Sequence, residues 1–273
     1  MNNFIQRALT GSLFVLGIVF LLQYGSDWSV HLLLAAITAG CMHEYNKLIG
    51  LNSKWLRAAS LLGVLLFVFA DFTPRDQWSL MGGMSLLVLV VFSLQVISKE
   101  NPLEHFARIF LGVAYIAFPM YSVHSLMYTD NLILGLFILV WTSDTGAYLS
   151  GKWLGKHKLL PSVSPGKTWE GLIGGTILTM AVALVLSNWT QAHGSHLVHF
   201  LNISPVKAVV WGLGVAVSGT LGDLFESRLK RMAGVKDSGS IFPGHGGFLD
   251  RFDAFLFAAL FTKAIFQGPL AIF

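Results

Sequence analysis

The sequence predicts an all-α protein, a polytopic integral membrane bundle of about nine transmembrane helices. Three observations carry this expectation. Charge is scarce: Asp, Glu, Lys and Arg make up 12% of the 273 residues, against roughly 25% in soluble domains. Mean hydropathy is +0.66, and Phe alone occurs 21 times. Apolar runs approaching the ~20 residues that cross a hydrocarbon core recur along the whole chain, most of them joined by short connections.

The opening run, near 9–24, follows a lone Arg7 and has no Ala-x-Ala-like exit, so it is expected as a retained span rather than a cleaved signal. The second, near 28–45, contains Cys41, the chain's one cysteine. A single cysteine excludes an intramolecular disulfide framework, and in this apolar setting it reads as a small hydrophobe. Further spans are expected near 58–73, 78–97, 108–127, 131–150, 171–188, 206–225 and 252–267. Gly, Ser and Thr interrupt several of them, as is common where helices touch closely within a bilayer. Two connections are enlarged and polar, 151–170 and 226–251. Residues 1–273 carry no repeat, low-complexity linker or soluble segment, and are expected as a single membrane domain.

The distribution of cations gives the orientation. With spans alternating in direction, Arg7, Lys47, Lys54, Arg57, Lys99, Arg108, Lys152, Lys156, Lys158, Lys167, Arg228, Lys230, Arg231, Lys236 and Arg251 share one face, 15 of the 18 Lys and Arg. Arg75, Lys207 and Lys263 fall elsewhere. By the positive-inside rule the rich face is cytoplasmic, with the N-terminus inside, the C-terminus outside and both enlarged loops open to cytoplasmic solutes. Topogenic cations touching anionic headgroups are the plain alternative. That reading covers Lys47, Lys54, Arg57 and Lys99, but not the carboxylates interleaved with cations in the last loop.

Only 14 residues are acidic, and Asp144, Glu170, Asp223, Glu226, Asp237, Asp250 and Asp253 gather in or beside the late spans and the two polar loops. Asp223 and Glu226 stand three apart and share a helix face, as do Asp250 and Asp253 if a helix starts near Leu249. Carboxylates so placed suit Mg²⁺, which is usually held by one or two carboxylates together with substrate phosphates. Internal pairing, of Asp250 with Lys230 or Asp253 with Arg251, is an equal alternative on spacing alone. Asp144, in Trp-Thr-Ser-Asp-Thr-Gly, is expensive inside a membrane and is expected against the site or a water-filled cavity.

Glycines add a second element. Phe242-Pro-Gly-His-Gly-Gly-Phe248 can turn backbone N–H groups toward an anion, with a helix N-terminus following. Ser164-Pro-Gly-Lys-Thr-Trp-Glu-Gly171 repeats the arrangement, with Lys167 and Thr168 as phosphate donors or Ser164 or Thr168 as a simple helix cap. Gly166-Lys167-Thr168 looks like the end of a Walker A loop, but the upstream glycine spacing is missing and no strand is expected before it, so a P-loop NTPase is rejected.

Ser227-x-Leu229-Lys230-Arg231, four residues, Lys236-Asp237-x-Gly239, two residues, then Phe242-Pro243-x-His245-Gly246-Gly247-Phe248-x-Asp250-Arg251-Phe252-Asp253 resembles the signature of phosphatidate cytidylyltransferases, the CDP-diglyceride synthetases. Every constrained position is filled. The resemblance extends to Ser164–Gly171 and to Gly222-Asp223-Leu224, covering the C-terminal half in detail and the first 130 residues only in hydropathy. Many relatives carry a second Lys where this chain has Gly166. The resemblance implies reaction of CTP or dCTP with phosphatidic acid, giving CDP-diacylglycerol and pyrophosphate with Mg²⁺ as cofactor. It implies catalytic roles for Asp223, Asp250, Lys230 and Arg251, and substrate contacts from Lys167, Thr168, Arg231, Lys236, His245, Gly246 and Gly247. Asp223, Asp250, Asp253, Asp144 and Glu226 are the implied metal set. A second cation and a homodimer stay open, no nucleic acid is expected, and a bacterial inner membrane is the expected location.

The competing classes are an anion-binding transporter and another metal-dependent lipid-headgroup transferase. The first lacks paired broken helices in two halves; the second lacks the repeated-Asp spacing of the CDP-alcohol phosphotransferases. His193, His196 and His199 have metal-like spacing but fall in an expected outer loop and read as solvated. Glu44, after His43 at the cytoplasmic end of the second span, is read either as a support for the site or, as the favoured reading, as a surface carboxylate at a helix end.

Overall fold

The computed structural model describes residues 3–51, 54–69, 102–127, 132–193, 203–242, 246–268 and 270. Helices dominate. They are α1 (Asn3–Tyr24), α2 (Asp27–Leu48), α3 (Lys54–Phe69), α4 (Pro102–Gly112), a π-helical turn (Val113–Ala117), α5 (Phe118–Leu126), α6 (Leu132–Leu154), α7 (Trp169–His193), α8 (Pro205–Met232) and α9 (Leu249–Gln267). Among the described residues, four helical stretches are long and apolar enough to cross a membrane: Ala107–Leu126, Leu132–Leu154, Trp169–Ser187 and Pro205–Met232. The chain is thus a helical membrane protein. The span expected at 78–97, with Arg75 and Lys99, lies outside the described residues, as do His196, His199 and His245.

Two features correct the expectation. First, the loop 151–170 is not wholly irregular: β1 (Lys158–Leu160) pairs antiparallel with β2 (Ser164–Thr168), Lys158 opposite Thr168 and Leu160 opposite Ser164. The Val163 N–H donates to the Leu160 carbonyl at 3.2 Å to close the turn. A strand therefore does contain Gly166-Lys167-Thr168, although it is half of a hairpin and not the parallel strand of a P-loop unit. Second, α8 runs on to Met232, so Glu226–Arg231 are helical rather than part of a loop. No Gly or Pro interrupts the run from Asp223, the Glu226 and Lys230 carboxylate and ammonium pair at i,i+4, and the stop comes at Gly234 with φ +71°.

The chain sorts into two compact units, Met1–His124 with Met232–Asp250, and Ser125–Arg231 with Arg251–Phe273. In the first, Tyr45 on α2 donates its hydroxyl to the Arg108 carbonyl at 2.7 Å, and Arg108 donates to the Ile49 carbonyl at 3.0 Å. In the second, α6 and α7 approach closely at small residues: a Cβ on Gly175 would stand 3.0 Å from the Ala147 Cβ and 2.9 Å from the Ser143 carbonyl. That contact is the small-residue kind foreseen for a bilayer. Phe137 stacks on Phe255 with centroids 4.3 Å apart, and buried Trp211 donates to Thr262 at 2.9 Å, seating α9 on α6 and α8.

Candidate active site

The second unit holds a cavity of about 450 Å³ whose wall includes Asp144 and Lys152 of α6, Lys167 and Thr168 of the hairpin, Gly171 of α7, and Thr220 and Asp223 of α8. This is the size of a small-ligand site. Local structure explains how the polar groups reach it. Strand β2 passes directly into α7, and Thr168 is the junction: its buried hydroxyl accepts the Gly171 N–H at 3.1 Å, an N-cap. The cap foreseen as an alternative role is therefore present, and it is compatible with the same hydroxyl donating toward a ligand. Glu170 accepts the N–H groups of Lys156 at 3.1 Å and His157 at 3.2 Å, tying the start of α7 to the end of α6.

Charge is concentrated here. Lys167 Nζ lies 2.7 Å from Asp223 Oδ2, and Ser227 donates to Asp223 Oδ1 at 3.2 Å. Asp144 is accessible to solvent and feels the charges of Asp223, Lys167 and Arg251. Asp253 in turn interacts electrostatically with Asp223, Glu226 and Asp144. Four of the five carboxylates singled out in the sequence thus form one electrostatic group. Glu226 is fully buried and paired with Lys230, so the pairs seen are Asp223 with Lys167 and Glu226 with Lys230. Asp250 with Lys230 and Asp253 with Arg251 were the pairs named in the sequence as the alternative to metal binding. Arg231, of α8, and Arg251, near the start of α9, are exposed. Among the described residues no three His, Cys, Asp or Glu side chains form a ready-made metal cage.

The first unit holds the rest of the signature. Lys236 is exposed, whereas Ser238 is buried. The Phe242 N–H donates to the Gly246 carbonyl at 2.9 Å, closing a tight turn in which Gly246 takes φ +80°, a conformation glycine adopts freely. The Gly-rich backbone does receive anions, and here they are the protein's own. The Gly247 N–H donates to Asp250 Oδ2 at 2.8 Å, and the Phe248 and Leu249 N–H groups donate to Glu44 at 3.0 and 2.9 Å.

Sequence reasoning missed Ser238, which occupies the unconstrained position between Asp237 and Gly239, and misjudged Glu44, which is 1% exposed and not the surface carboxylate favoured there. The one sequence signal for Glu44 is its neighbourhood, a carboxylate one turn beyond Gly40 and Cys41 in an apolar helix. Ser143, Tyr148 and Thr220, which also line the cavity, carried no signal beyond polarity near a span end.

Known proteins are similar to this sequence. The profile of the cytidylyltransferase family matches residues 5–268. A Staphylococcus saprophyticus protein named phosphatidate cytidylyltransferase is 36% identical over 216 residues, which is 76% of this chain and 80% of that protein. A Staphylococcus epidermidis protein of the same name is 37% identical over the same shares. One from Staphylococcus aureus is 41% identical over 203 residues, 72% of this chain and 74% of its own. With the match running through both units and across the cavity-lining residues, the chain belongs to the cytidylyltransferase family.

Proposed function

We propose that the chain is a CTP:phosphatidate cytidylyltransferase of phospholipid biosynthesis, a nucleotidyltransferase that joins CTP to phosphatidic acid with release of pyrophosphate. The observation that carries this reading is the cavity where Lys167, Asp223 and Asp144 meet within a cytidylyltransferase-family chain. A phosphatidate headgroup is largely ionised near neutral pH, its second pKa resembling the ~6 of other phosphomonoesters. Its oxygen can attack the α-phosphorus of CTP directly, and the α–β bridging oxygen leaves with the pyrophosphate. No side-chain nucleophile is required. The obstacles are bringing two polyanions together and stabilising charge on the departing group.

The residues divide that work. Lys167, with Thr168 beside it at the N-terminus of α7, binds phosphate oxygens, and Arg251 and Lys230 offset charge as it moves to the leaving group. Arg231, Lys236, His245, Gly246 and Gly247 keep the substrate-contact roles that the signature implies. The donor set fits a divalent cation: Asp144 and Asp223 offer hard oxygens on the wall of a solvent-reached cavity, with room for phosphates to complete the shell. Mg²⁺, once bound, neutralises phosphate charge and polarises the reacting phosphorus. Asp223 and Asp250 are the principal ligands in this reading, with Asp253, Asp144 and Glu226 as additional or supporting ones.

Nine spans, a cytoplasmic active face and a bacterial inner membrane complete the reading. The cation asymmetry supports the alternation of spans and the cytoplasmic face, and two of the three minority cations are engaged within the protein. Lys207 sits 5.1 Å from the Phe266 ring centroid, and Lys263 donates to Ser125 at 2.5 Å. The test is direct. Purified protein given α-labelled CTP, phosphatidate and Mg²⁺ should form lipid-linked labelled CMP with one pyrophosphate per turnover. Absence of labelled lipid under these conditions, with CTP or dCTP, would overturn the assignment.

A further inference from the structure

Glu44 lies outside the signature, nearly 200 residues before it, yet is buried against it. On α2 it is 1% exposed and accepts three hydrogen bonds: from the Ser238 hydroxyl at 2.7 Å, the Phe248 N–H at 3.0 Å and the Leu249 N–H at 2.9 Å. The last two are the amides at the start of α9. Phe248, which precedes that helix, has no side-chain acceptor, so the cap comes from α2 instead. A carboxylate at a helix N-terminus is also favoured by the helix dipole.

The same hydroxyl connects Glu44 to Asp250. Ser238 Oγ lies 2.9 Å from Asp250 Oδ2, and that oxygen also accepts the N–H groups of Ser238 at 2.9 Å and Gly247 at 2.8 Å. The one hydroxyl proton lies within reach of both carboxylates, and the hydroxyl oxygen accepts the Asp250 N–H at 3.3 Å. Two signature glycines make room: a Cβ on Gly239 or on Gly247 would run into the Glu44 carboxylate. One turn earlier on α2, a Cβ on Gly40 would run into the Phe248 ring. Gly40 and Glu44, four apart, thus form one helix face on which the signature loop is seated.

We propose that Glu44 is a positioning residue for Asp250: through Ser238 and the capped start of α9 it fixes the backbone at 238 and 247–249 and sets the orientation of the Asp250 carboxylate. A buried carboxylate with three donors holds a backbone more firmly than a neutral acceptor can. Because Asp250 is read as a ligand for the metal and not as a direct contact to the nucleotide, loosening it should slow turnover and weaken Mg²⁺ use more than it weakens CTP binding. The inference rests on the proposed role of Asp250.

The experiment uses the full-length protein in nanodiscs. Glu44→Ala should lower kcat by about 10–100-fold, the scale of a small misplacement of a reacting group, with KM for CTP changed less than threefold. The Mg²⁺ concentration for half-maximal rate should rise, and Glu44→Gln, which keeps one acceptor oxygen, should recover part of the loss. Amide exchange in metal-free, substrate-free protein should speed up in the peptide 236–249 and stay unchanged in α6 and α8. If Glu44→Ala fails to fold, Glu44→Gln and Ser238→Ala carry the same comparison. Wild-type kcat and exchange in the folded variants would overturn the inference, as would a change confined to KM. Asp250→Asn separates the two levels: if it keeps full activity the assignment of Asp250 fails, and if it is inactive while the Glu44 variants are normal only the positioning role fails.

Discussion

At Asp223 a single carboxylate is bonded to both Lys167 and Ser227, so its orientation is fixed before any ligand arrives. Preorganised charge of this kind is where mutational effects on rate are largest. Asp223→Asn is expected to reduce kcat by about 10²–10³-fold, measured as initial rates at saturating CTP and phosphatidate; a change below threefold would remove it from the site. Lys167→Met should lose comparable rate, and the double variant should lose less than the product of the two, because the partners act as a unit. Additive losses would contradict their coupling. These residues were legible in the sequence because carboxylates are rare in this chain and expensive near a bilayer. Glu44 was not, because its three donors come from Ser238, Phe248 and Leu249, whose approach is a tertiary event. On α2 itself only its place one turn beyond Gly40 in an apolar helix distinguishes it from a surface acid.

Among the elements, the passage from β2 through Thr168 into α7 determines where Lys167 stands. Thr168→Ala removes the N-cap and should reduce stability by about 1 kcal/mol, read as a fall in the thermal midpoint in detergent, with a larger proportional fall in activity. An unchanged midpoint would show that the cap bears no strain from the hairpin. Gly175 tests the scaffold in a different way. Its Cβ position is already within 3.0 Å of Ala147, so Gly175→Leu should force α6 and α7 apart and abolish recovery of folded protein, whereas Gly175→Ala should fold with a lowered midpoint. Full stability of the Leu variant would contradict the packing. Hydropathy placed the ends of α6, α7 and α9 and the start of α8 close to where they fall, since apolar composition persists over those lengths. It could not show that α8 continues to Met232, because beyond the apolar window the helix is held by the Glu226–Lys230 pair and ended by Gly234. The hairpin was hidden for a similar reason: three- and five-residue strands are fixed by their cross-strand partners, not by a periodicity of their own.

For the molecule as a whole, the proposed orientation rests on cations and the proposed site on anions. Cys41, the one native cysteine, is buried and gives a low labelling background. Ser240→Cys should therefore react with an impermeant maleimide only after cells are opened, and Ser204→Cys in intact cells; the reverse pattern would overturn the cytoplasmic placement of the signature. The family was readable from spacing alone, since the signature fixes residue types at long, exact intervals. The partner that α2 gives it was not, and neither was the division of the polar loops between two compact units. The central claim is that the protein supplies charge and position while the lipid phosphate is itself the nucleophile. Stereochemistry tests it most directly, using CTP made chiral at the α-phosphorus with sulfur and heavy oxygen. A single in-line transfer predicts inversion at that phosphorus in the CDP-diacylglycerol product. Net retention would mean that a side chain carries the cytidylyl group in between, and would contradict the account.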